Sequence, residues 1–94
     1  MTVLAIDPGR DKCGLAVVAA TGEMLARCIV ARGEMPDVVP ALVAQHSIAH
    51  IVLGDSTTSR QLRDQLHIWL PALPVTLVDE SGSTLEAREL YWQA

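Results

Sequence analysis

A chain of 94 residues, half of them apolar but with no Phe and a single Tyr, makes one domain whose core rests on Val, Leu, Ile and Ala. Its net charge of −4 excludes binding nucleic acid through bulk charge, though not an enzyme that holds metal ions with its carboxylates. No apolar run nears the ~20 residues that cross a bilayer, and no basic segment leads into an apolar one at the N-terminus. The expectation is a cytoplasmic protein that does not engage a membrane. So short a chain buries only a moderate fraction of its surface, which makes a homodimer an expected source of added stability.

The first element is the strand "VLAID", which ends on Asp7 and runs into a Pro-Gly turn. "GLAVVAA" and "MLARCIV" follow on either side of "TGE" and read as an antiparallel hairpin. With Thr21-Gly22 as a two-residue turn, Leu15 lies opposite Cys28 and Cys13 opposite Val30. The cysteines are then diagonal neighbours, each expected as a buried reduced thiol. "GEMPDVVPALVAQHS" reads as a helix capped by Asp37, with Pro40 in its first turn and Leu42 and Val43 toward the sheet. "HIVLG" is a fourth strand with the continuous apolar run of one buried on both faces. Thr58 with Gln61 is a capping box opening a second helix, along which Leu62, Leu66, Trp69 and Leu70 recur at helical spacing until Pro71. "PVTLV" is the fifth strand. "SGSTLEARELYWQA" then reads as a third helix, with Ser83 and Glu86 as its capping box and Ala87, Leu90, Tyr91 and Ala94 along one face.

This order, a hairpin and then alternating helices and strands, predicts an α/β fold. It has a five-stranded mixed sheet in which the first, fourth and fifth strands are parallel. A dinucleotide-binding fold would place G-x-G-x-x-G after the first strand, and "DPGRDKCG" does not match it. All three proposed parallel strands end in acid: "LAID", "VLGD" and "LVDE". In open α/β sheets the crevice beyond the carboxyl ends of such strands is where ligands bind. Asp7, Asp55 and one of Asp79 or Glu80 converge there, since alternation sends that last pair to opposite faces. Converging like charges call for a cation. With no His or Cys at a ligand spacing, oxygen ligation favours Mg²⁺ or Mn²⁺. Each acid alone also has a plainer reading as a turn or cap residue, and Asp55 in "GDSTTSR" could simply cap the following helix. His46, His50 and His67 read as ordinary surface or core residues. Arg10 and Lys12 follow Asp7, and Arg60 and Arg63 follow Asp55. They are either solvated charges or a rim that contacts phosphates.

At these residues a family likeness enters. "AIDPGRDKCGLAVV" resembles the D-x-G-x-x-x-x-G-x-A-V first-strand motif of the YqgF/RuvX family, and "VDESGSTLEAREL" resembles its D-E-x-x-S-T-x-E-A motif. The resemblance implies a single RNase H-like domain over residues 1–94 and a divalent-metal-dependent nuclease that hydrolyses phosphodiesters with two metal ions. Family members are described as Holliday-junction-resolvase-like, or as nucleases trimming the precursor of 16S ribosomal RNA. The implied partner is therefore structured RNA or branched DNA. By motif, Asp7 is the first-strand metal ligand, and Glu80, with Asp79 beside it, belongs to the second acidic motif. Gly9 and Gly14 fall on the motif's glycines, Ser83 on its serine, and Thr84 and Glu86 on the Thr-x-Glu portion. Arg10, Lys12, Arg60 and Thr84 are the implied nucleic-acid contacts. Ser81 and Gly82 depart from the pattern, where arginine usually follows Asp-Glu. "LGDST" replaces the family's G-L-P segment, which puts Asp55 near where the related RuvC resolvases carry an acid. The pattern's last ligand, an aspartate on a further C-terminal helix, has no counterpart here, so the resemblance implies either a C-terminally truncated product or a minimal version of the domain. Two other readings stand beside the nuclease. One is a catalytically impaired binding or scaffold module of the same fold. The other is phosphotransfer, because sugar kinases and actin-like proteins share the fold and a D-x-G first turn.

Overall fold

The computed structural model describes residues 1–55 and 59–79, the side chain of Asp79 excepted. Five strands form one sheet in the order β3-β2-β1-β4-β5. They are β1 (Thr2–Asp7), β2 (Lys12–Val18), β3 (Met24–Ala31), β4 (Ile48–Asp55) and β5 (Val75–Asp79). β1 pairs antiparallel with β2 and β2 with β3, whereas β1, β4 and β5 run parallel, as the element order predicts. Two helices, α1 (Met35–His46) and α2 (Ser59–Trp69), make the parallel crossovers. The third helix expected over residues 81–94 lies outside the described residues.

Alternation divides the sheet into two unlike faces. One carries Leu4, Ile6, Cys13, Leu15, Val17, Ile51 and Leu53, all at most 2% exposed, with Met35 and Val39 of α1 and Leu62 and Leu66 of α2 packed against them. Burying a side chain of this size is worth about 1.5–3 kcal/mol, so among the described residues this layer holds most of the apolar burial. Leu42, Val43, Trp69 and Leu70 border it, half-buried. The other face has a small cluster of Ala5, Ala16 and Val18, with Met24 beside it.

The hairpin reaches the expected register by a different route. Gly22 N–H donates to the Ala19 carbonyl (2.9 Å) and Ala19 N–H to Glu23 (2.8 Å), so the loop is Ala20-Thr21-Gly22, not a two-residue turn. Gly22 closes it at φ +90°, a conformation glycine adopts without strain. That longer loop alone would offset the strands by one residue. An irregularity at Leu25, between the pairs Val18–Met24 and Val17–Ala26, restores the offset. Leu15 therefore faces Cys28 and Cys13 faces Val30. Cys13 is buried, but Cys28, on the edge strand β3, is exposed.

The first helix also starts earlier than Asp37. A 3-10 turn over Arg32–Glu34 leads into α1, whose N-cap is Glu34 with no side-chain capping bond. Pro36 takes the first-turn position where a missing N–H does no harm, which leaves Pro40 inside the helix. At its far end Ser47 adopts the left-handed conformation (φ 52°) and returns its N–H to the Val43 carbonyl. Ser59, fully buried, donates its hydroxyl to the Gly54 carbonyl and ties the start of α2 to the end of β4. The capping box at Thr58 falls outside the described residues.

Candidate metal and nucleic-acid site

The carboxyl ends of β1, β4 and β5 meet at one edge of the sheet. Asp55 stands level with Asp79 in the β4–β5 register. One position beyond the paired Ile6 and Leu53 come Asp7 and Gly54. On its other side Asp7 is opposite Gly14. The half-buried Asp7 is thus flanked within the sheet by two glycines, Gly14 and Gly54.

The acids do not share a face. Asp7 follows Val3 and Ala5 on the small-residue side, whereas Asp55 follows Ile51 and Leu53 on the helix-covered side. Glu80, Ser83, Thr84 and Glu86 lie outside the described residues. Among the described residues no group of three or more His, Cys, Asp or Glu converges on one point. The donor chemistry that is described, an aspartate between glycines with no imidazole or thiol beside it in the sheet, fits a hard divalent cation. Cys13 points into the core, and His50 is engaged with Thr76, Nε2 to Oγ1 at 2.7 Å.

The loop from Pro8 to Asp11 gives Gly9 a physical reason. A Cβ at Gly9 would lie 2.2 Å from the Lys12 carbonyl oxygen, so only glycine allows the loop to fold back this closely. The Gly9 carbonyl accepts a hydrogen bond from Arg32 Nη1 (2.8 Å), and Arg32 N–H donates to the Asp11 carbonyl (2.8 Å). Arg32, which follows the end of β3, is a residue the sequence reading missed. No local signal marks it, because its partner is 23 positions away. Arg10, Lys12 and Arg60 are all exposed, and topology brings them to this same edge. Arg10 is in the loop after β1, Lys12 begins β2 opposite Ala31, and Arg60 is in the first turn of α2. Arg63 lies 3.9 Å from Asp64, a surface ion pair of little energetic weight.

No family model matches the sequence, and no curated protein matches it. Solved structures do. RuvC of Thermus thermophilus is 18% identical, with TM-score 0.71, covering 95% of this chain and 66% of that one. The same protein has also been solved in complex with a Holliday junction substrate. The nuclease domain of the large terminase subunit gp2 of bacterial virus Sf6, solved with manganese, is 19% identical at TM-score 0.65, covering 83% of this chain and 37% of that one. A ROK family glucokinase from Streptomyces griseus, in complex with glucose and AMPPNP, is 18% identical at TM-score 0.63, covering 95% of this chain and 36% of that one. The chain spans 36% to 40% of the length of the sugar-kinase-type chains it matches. The fold is RNase H-like. At these identities the likeness reaches no further than the fold, which nucleases and sugar kinases share.

Among the described residues no helix is long and apolar enough to cross a membrane.

Proposed function

We propose that this chain is the core of a divalent-metal-dependent nuclease of the YqgF/RuvX type, acting on structured RNA or branched DNA. The observation that carries the reading is Asp7 held between Gly14 and Gly54 at the carboxyl edge of the parallel strands, with Arg10, Lys12 and Arg60 on the same edge. Acid for an ion and base for phosphates would then share one edge of the sheet, which reconciles nucleic-acid chemistry with a net charge of −4.

Asp7 would hold Mg²⁺ or Mn²⁺ together with Glu80, and Asp79 and Asp55 are the remaining carboxylates at that edge. Bound divalent ions supply activation of a water and stabilisation of the departing oxygen of a phosphodiester. The chain's own part is positional. Arg10, Lys12 and Arg60 grip flanking phosphates without reading sequence, and Thr84 adds a hydroxyl contact. The test is cleavage of branched DNA and structured RNA with Mn²⁺, by the parent and by Asp7→Ala. The expected result is metal-dependent cleavage lost in the variant. Equal cutting by the two removes the site.

Two other outcomes would redirect the reading. Nucleic acid bound without cleavage and indifferent to chelator would make the chain a binding module of the same fold. ATP binding measured by calorimetry would favour phosphotransfer, the activity class of the kinases that share the fold.

A further inference from the structure

We infer that Arg32 is a positioning residue for the Asp7 carboxylate, an inference that rests on the nuclease reading above. Asp7 is the last residue of β1, and the chain leaves the sheet immediately after it. Its backbone direction is therefore set by β1 on one side and by the loop Pro8–Asp11 on the other. Arg32 fastens that loop twice. Its guanidinium donates to the Gly9 carbonyl, two residues beyond Asp7, and its backbone N–H to the Asp11 carbonyl, both at 2.8 Å. The loop is tightly folded where the clamp holds it, since a side chain at Gly9 would clash with the Lys12 carbonyl. Arg32 is half-buried, and it sits where β3 passes into the 3-10 turn, an anchorage outside the loop itself. A carboxylate ligand whose flanking loop drifts loses the preformed geometry that a divalent ion selects, and partners that orient metal ligands are typically worth about 10–100-fold in metal affinity.

The experiment is Mn²⁺ titration by calorimetry on the parent, Arg32→Ala and Arg32→Lys. It is paired with amide hydrogen exchange at residues 9–12 and 32, and with free methylguanidinium added to Arg32→Ala. The expected result is Mn²⁺ binding weakened by about 10–100-fold in Arg32→Ala and less in Arg32→Lys, which keeps one donor. Loop amides should exchange faster, and methylguanidinium should recover part of the affinity, which a general loss of stability would not allow. If Arg32→Ala does not fold, Arg32→Met, which keeps an apolar stem but has no donor, decides instead, and parental affinity with parental loop exchange in it overturns the clamp. Parental Mn²⁺ affinity in a folded Arg32→Ala overturns the clamp while leaving the metal site standing. A parent that binds no Mn²⁺ overturns the nuclease reading itself, and the clamp's purpose with it.

Discussion

The two faces of the sheet use different residues for different tasks. The helix-covered face is Leu, Ile and Val in close contact with Met35, Val39, Leu62 and Leu66, and its side chains are large. Among the described residues the opposite face runs through Ala5, Ala16, Gly14 and Gly54 with the buried Val18 and Val52, while Ile29 on the edge strand is 73% exposed. Asp7 sits on the small-residue face, at its carboxyl end. Among the described residues the large buried side chains are concentrated on one side of the sheet, and Asp7 lies on the other, with Gly14 and Gly54 beside it in the sheet.

That division can be broken from either side. Leu53→Ala on the helix-covered face removes a fully buried side chain and should cost about 2–5 kcal/mol, read as a lower midpoint in urea. Ala16→Leu tests the other face. Ala16 is 0% exposed, so overpacking should cost about 1–3 kcal/mol, and an unchanged midpoint would mean that the small residues there are not required for packing. His50→Ala removes the hydrogen bond to Thr76 on that same face and should cost about 0.5–1.5 kcal/mol, toward the low end because the pair is exposed. Ile29→Thr should shift stability by no more than about 0.5 kcal/mol, since the side chain it replaces is mostly in solvent.

The strands, their directions and the edge where their acids gather were legible because period-two alternation and strand-end residues are local patterns. The buried run in "HIVLG" likewise announced β4, whose Ile51, Val52 and Leu53 are all buried. What escaped was fixed by contacts between distant segments. The three-residue hairpin loop and the irregularity at Leu25 cancel in the final register, so the expected pairs came out right from a turn that was wrong. Cys28 reads as a core residue by type, and it is exposed on a strand that the topology places at the sheet's edge. Asp37 was a reasonable cap by residue type, but the 3-10 turn after β3 starts the helix sooner and Pro36 occupies its first turn. At the site, Asp7 and its glycines were readable as a motif. That Asp55 lies on the opposite face follows from strand alternation once the register is known, and the clamp by Arg32 from no sequence pattern at all.

Paramagnetic broadening of amide resonances by substoichiometric Mn²⁺ would locate a divalent cation held at the Asp7 edge. The amides of Asp7, Gly14 and Gly54 should broaden first in the parent, and Asp7→Asn, folded as the parent is, should lose this effect. Broadening centred elsewhere, or unchanged in Asp7→Asn, would contradict a cation site at that edge.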